Sequence, residues 1–287
     1  MKLRIKSVGI KSFLIVLFTM PLGHAAMKLM QIAFGEHIFI AAGALGFFGV
    51  FALILGIYSN KESVATYLGF FGALFVWTGW IEFAFVYYAQ SLQVSPLTVG
   101  GEIVTKPEYL IMPSSIGFWG MFLAYYLLAY NSSCNFFAWI QKKLKLSERI
   151  AEKRTLKNSA VTTFMELNFL MWTFYLVLLI AYDNNFFGDR HPFTYALAFA
   201  CLLWSMFLFK NLLKINDLAY AVRYAIPTVV IFWNFVEILG RWNLFHEIWV
   251  EPLKYWKEMS LAFSAFIILV ASSFIKKNSS IRKIYSN

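Results

Sequence analysis

The chain has 287 residues, of which 60% are hydrophobic, 20% aromatic and only 14% charged, with a mean hydropathy of +0.63. Too little polar surface is available to cover so large an apolar fraction, which excludes a soluble domain and makes a lipid bilayer the solvent. The formal net charge of +10 does not indicate a nucleic-acid partner, because the basic residues concentrate on alternate gaps between apolar runs, as membrane orientation requires.

Runs of about 20 apolar residues are long enough to cross the bilayer core as helices. Eight such runs are read, at about 12–33, 38–58, 65–89, 110–130, 159–182, 193–212, 223–242 and 259–275. The expected fold is an all-α integral membrane protein of eight transmembrane helices.

A basic start (Lys2, Arg4, Lys6, Lys11) precedes the stretch SFLIVLFTMPLG and the small residues HAA, a pattern shared with secretory signal peptides. The run stays apolar to Phe34 and can span by itself, so it is read as the first helix. Within it His24 and Lys28 stand four apart and share one helix face. The second run carries Gly43, Gly46 and Gly49 and the third Gly69 and Gly72, small residues that let helix backbones approach closely.

The third run also contains Trp77, Thr78, Trp80 and Glu82. No basic residue lies within a turn of Glu82, so its carboxyl must be protonated, hydrated, bound to a cation, or paired with another helix through His24 or Lys28. Pro113 opens the fourth run, where the missing backbone donor implies a kink.

The following gap is the most basic in the chain, with Lys142, Lys143, Lys145, Arg149, Lys153, Arg154 and Lys157. The fifth run includes MELNFLMWT, where Glu166, with Asn168, Trp172 and Thr173, either lines an inner gate or, the preferred reading, caps polar backbone near the membrane surface. Cys201, inside the sixth run, and Cys134 have neither the spacing nor the placement of a disulfide or metal cluster. The seventh run, entered through Pro227, ends in WNFVEILGRWNLFHEIW. There Glu237 and Arg241 lie one turn apart, and a salt bridge between them is expected.

Most of the 25 basic residues fall on the side that holds both termini and the fourth gap, while the opposite loops are acidic, with Glu36, Glu102, Glu108, Asp183, Asp189, Glu247, Glu251 and Glu258. The positive-inside rule then puts both termini in the cytoplasm, with a bacterial cytoplasmic membrane as the expected location.

The strings FGEHIF at 34–39 and FGDRHPF at 187–193 resemble one another. Glu82 follows the first at nearly the spacing at which Glu237 follows the second. A parallel duplication of a four-helix unit is the resulting expectation: a first repeat over 1–133, a basic cytoplasmic linker over 134–158 and a second repeat over 159–287.

Ionisable groups inside spans are costly and usually face a bundle interior or a wet cavity. Glu82 and Glu237 are therefore the candidate catalytic or proton-exchanging groups, and His24, Lys28, Trp77, Trp80, Trp233 and Arg241 the candidate binding residues. His24, Glu82 and Glu237, joined by a loop histidine, form a donor set suited to a divalent metal, although no HExxH or ExxH spacing is present. His37, His191 and His246 otherwise read as interfacial residues beside a belt formed by Trp242 and Trp249.

The leading functional reading is transport of a cation or small solute through an outward-facing pocket. The alternative is a membrane-embedded enzyme acting on an apolar lipid or isoprenoid, with a carboxyl as general acid and Trp77, Trp80, Trp172 and Trp233 as an aromatic wall. A third reading is a helical subunit of a larger membrane complex or a homo-oligomer.

Overall fold

In a bilayer every backbone N–H and C=O must be satisfied within the protein, so apolar runs of this length fold as helices. The computed structural model describes residues 7–99, 102–129, 135–145 and 158–274. The expected linker residues Arg149, Lys153, Arg154 and Lys157, together with Cys134, Lys2, Arg4, Lys6 and the basic residues after Phe274, lie outside the described residues.

Among the described residues, seven helical stretches are long and apolar enough to span a membrane. The first, Ser7–Ile57, runs for 51 residues and contains two of the expected apolar runs. Its helices are α1 (Ser7–Phe34) and α2 (Ile38–Ile57), separated by a 3-10 turn at Gly35–His37 in which Gly35 takes φ +46°, a conformation that glycine adopts without strain. The start of α1 lies against the end of the fifth stretch at Leu212, whereas the end of α2 meets Ala160.

α3 (Glu62–Ser91) follows, and then a two-stranded antiparallel ribbon, β1 (Leu97–Val99) with β2 (Glu102–Thr105). A one-turn helix at Pro107–Ile111 and a 3-10 turn at Met112–Ser115, containing Pro113, lead into α4 (Ile116–Ala129). The remaining helices are α5 (Asn135–Lys143), α6 (Ser159–Tyr182), α7 (Pro192–Leu212), α8 (Leu218–Arg241) and α9 (Trp256–Phe274). Pro227 is accommodated inside a continuous α8.

α3 and α8 form the centre, with 56% of their most apolar windows buried, against 11% for α9. α2 packs along α3 and α7 along α8; α3 also packs on α6, and α8 on α1; α9 lies along α1 and α4 along α6. The peripheral helices turn large apolar side chains outward, among them Phe47, Phe51, Phe118, Met121, Leu203, Phe207, Leu261 and Ile268, as lipid-facing surfaces do.

Backbones approach closely between α2 and α3. A Cβ on Gly49 would stand 2.7 Å from the Gly72 carbonyl oxygen, and one on Gly72 2.8 Å from that of Gly49. Gly69 instead backs onto Ala160 of α6, and Gly43 has nothing within 4 Å. The expected glycine face is thus divided between two neighbouring helices.

The centre is filled at one end by Val16, Phe70, Leu167, Leu170, Ala225, Ile226 and Val229. At that same end Arg223 of α8 pairs with Glu62 of α3 at 2.8 Å and donates to Ser159 of α6 at 2.7 Å, tying three helices together.

Candidate functional site

A cavity of about 640 Å³ opens between the C-terminal halves of α1, α3, α6 and α8. Its mouth is framed by Thr105 at the end of the ribbon, by Lys106 and Tyr109 just after it, and by Asn243, Glu247 and Val250 after α8. His24, Trp77, Glu82, Trp233, Glu237 and Arg241 all line it.

Glu82 owes its position to local backbone geometry. Residues Trp77–Glu82 form a π-helical turn inside α3, and the Phe83 N–H reaches back to the Thr78 carbonyl. A π turn brings residues five apart onto one face, so Trp77 and Glu82 both reach the cavity. Trp80 is turned the other way: it donates to the Gly43 carbonyl at 3.1 Å, meets Phe47 edge-on and stays 39% exposed. It seals α2 against α3 and is not part of the cavity wall.

The Glu82 side chain is buried, and the Tyr175 hydroxyl donates to its Oε1 at 3.2 Å. Tyr175 packs between Trp77, at 5.4 Å between ring centroids, and Tyr109, at 6.0 Å. Tyr109, Tyr175 and Tyr182 were not anticipated from the sequence. They come from two other segments, the turn at Pro107–Ile111 and α6, and no spacing relates them to Glu82.

On another wall, Glu237 Oε1 accepts from Trp233 Nε1 at 2.6 Å and faces His24 Nε2 at 3.8 Å. The Trp233 bond follows from helical spacing, since both residues lie on one face of α8. His24 Nδ1 lies 2.9 Å from the Met20 carbonyl, which can only accept, so Nδ1 carries a proton and Nε2 is the nitrogen turned to Glu237. At 3.8 Å this is an ion-pair distance rather than a hydrogen bond.

Arg241 does not make the expected salt bridge to Glu237. Its Nε bonds Asp189 at 2.9 Å, a terminal nitrogen donates to Thr105 at 3.0 Å, and the guanidinium lies 4.9 Å from the Tyr182 ring centroid. Arg241 therefore joins three outer segments, which leaves Glu237 to His24 and Trp233. Glu247, in the loop beyond α8, is held above the ordinary carboxylate range by burial and by the neighbouring Glu237 charge.

Lys28 lies outside the cavity, near enough to Lys106 and Glu108 to feel both charges. The loop histidines serve local structure. His191 accepts from the Phe193 N–H at the start of α7, His246 pairs with Glu251 at 3.0 Å, and His37 is exposed in the first turn. Trp242 and Trp249 are buried rather than forming a belt, the first donating to the Asp189 carbonyl at 2.7 Å and the second packing on Trp233. Trp172 donates to Ser115, and Glu166 is fully buried within α6, so neither contributes to the cavity.

Among the described residues no three His, Cys, Asp or Glu side chains converge as a metal site requires. His24 and Glu237 meet, while Glu82 is bound to Tyr175. The arrangement offers carboxylates and phenols in a chamber lined by apolar and aromatic side chains, suited to binding an organic molecule and exchanging protons with it. No family model, curated protein or solved structure matches the chain.

Proposed function

We propose that the chain is a secondary transporter of a small solute, with the cavity as its binding site and Glu82 and Glu237 as its central charged groups. The observation that carries this reading is polarity along the bundle axis. The cavity lies toward one end, and the opposite end is filled by the Phe70–Leu167–Ile226 cluster and tied by Arg223, Glu62 and Ser159. An open chamber over a closed plug is what alternating access leads one to expect in an outward-facing state.

Two parallel four-helix units, over 1–133 and 159–287 with a cytoplasmic linker between them, are part of the same reading. Its support is that helix contacts recur in pairs: α2 with α3 as α7 with α8, and α3 with α6 as α8 with α1. The glutamates follow this correspondence, with Glu82 of α3 facing Tyr175 of α6 and Glu237 of α8 facing His24 of α1. Counting α1 and α2 as separate crossings makes eight, with both basic termini in the cytoplasm and the cavity opening outward.

The test uses Thr78→Cys, a cavity position, in a background in which Cys134 and Cys201 are replaced. A membrane-impermeant thiol reagent is applied to sealed vesicles of each orientation. Transport requires labelling from both sides, with outside labelling faster. Labelling from one side alone overturns transport and favours the lipid-modifying enzyme, whose pocket never needs to change sides.

A further inference from the structure

The size and chemistry of the cavity narrow the ligand class. A chamber of about 640 Å³ is far larger than a bare ion and falls in the range that encloses an organic molecule. The described residues offer no metal-ligating cluster within it.

The enclosure of Glu82, rather than the sum of charges, points to a cationic ligand. Glu82, Glu237 and Glu247 face the cavity, against Lys106, Arg241 and His24. Arg241 is committed to Asp189, and His24 is the neighbour of Glu237. Glu82 is the most enclosed of the three acids, only 5% exposed, and no Lys or Arg among the described residues pairs with it. Its one hydrogen bond comes from the neutral Tyr175 hydroxyl and uses Oε1, which leaves the second oxygen without a donor among the described residues. A carboxylate in such a site is strongly disfavoured unless a cation joins it or a proton neutralises it.

The remaining walls suit the same ligand. Trp77, Tyr109 and Tyr175 form a packed aromatic group beside Glu82, and Trp233 and Phe174 line the cavity as well. Aromatic faces attract ammonium groups through the ring quadrupole and bury apolar carbon at the same time. With a neutral ligand only a proton could neutralise Glu82, whereas an ammonium ion pairs with the carboxylate directly; an anion would be repelled by it.

We infer that this cavity binds an organic ammonium ion with an apolar body, its charge at Glu82 and its body against the Trp77–Tyr175–Tyr109 group. The inference rests on the cavity invoked for transport and names its substrate class. Its test needs no flux, so the two can fail separately.

Three probes of nearly equal shape are titrated at pH 7 and constant ionic strength into the purified full-length protein in detergent: phenethylammonium, 2-phenylethanol and 3-phenylpropionate. Binding is read by tryptophan fluorescence and confirmed by calorimetry. The ammonium ion is expected to bind about tenfold or more tightly than the alcohol, from charge-assisted and cation–π attraction, with the carboxylate weakest. Glu82→Gln should weaken the ammonium ion by about tenfold or more and leave the alcohol unchanged, so retained alcohol binding reports an intact fold. The wild-type ranking tests the class even if that variant does not fold. Equal binding of ammonium ion and alcohol, preference for the carboxylate, or no binding of any probe up to millimolar concentration overturns the inference. Ammonium binding combined with one-sided Thr78→Cys labelling keeps the ligand class and removes transport.

Discussion

Arg241 offers the sharpest test of the site's electrostatics, because helical spacing points it at Glu237 while the folded protein pairs it with Asp189. Arg241→Ala removes a charge-assisted hydrogen bond of about 2 kcal/mol, a ring contact with Tyr182 of about 0.5–1 kcal/mol and a bond to Thr105 of about 1 kcal/mol. The Arg241 side chain is 14% exposed and that of Asp189 30%, so water recovers part of the loss. A destabilisation of about 3 kcal/mol is expected. The assay is reversible unfolding in mixed micelles followed by tryptophan fluorescence, run as two double-mutant cycles, with Asp189→Asn in one and Glu237→Gln in the other. Coupling to Asp189 should reach about 1–2 kcal/mol and coupling to Glu237 stay below about 0.5 kcal/mol. The reverse order would refute the pairing and restore the i,i+4 bridge.

Glu247 carries a pH dependence of definite sign. Burial and the Glu237 charge raise it above its ordinary value of 4.5. Just above 4.5 the folded protein holds a proton that the unfolded chain has lost, and its contribution to stability therefore falls as pH rises through that window. Thermal melts against pH should show a downward slope there that Glu247→Gln flattens; an unchanged slope in the variant would assign it to other groups. At the α2–α3 crossing, Gly49→Ala would bring a methyl 2.7 Å from the Gly72 carbonyl oxygen and should cost about 1–3 kcal/mol. Gly43→Ala meets nothing within 4 Å and should be neutral or stabilising by up to about 1 kcal/mol, given alanine's higher helix propensity. Equal melting temperatures for the two variants would contradict the close approach.

The sequence by itself determined that this is a helical membrane protein and roughly where its helices lie. The runs read at 159–182 and 193–212 are observed as Ser159–Tyr182 and Pro192–Leu212. That legibility has a physical cause: lipid offers the backbone no hydrogen bonds, so an apolar run of sufficient length has little choice but to become a helix. The candidate site was partly legible for a related reason, since ionisable groups in a span have few tolerable surroundings other than an interior cavity. His24, Glu82 and Glu237 line the same chamber.

What only the tertiary structure decided is which groups meet. Spacing put Glu237 and Arg241 on one face of α8, but Asp189 in the loop between α6 and α7 outcompetes Glu237 for the guanidinium. Tyr175 reaches Glu82 from another helix, 93 residues along the chain. The π turn that aims Trp77 and Glu82 inward and Trp80 outward has no signature in WTGWIE, and it occurs where Gly79 lies against the backbone of Ala42 and Gly46. Sequence periodicity specifies the face of a single helix, whereas the rotation of that helix against its neighbours is set by close packing along its whole length. That rotation decides which partner each cavity carboxylate finds.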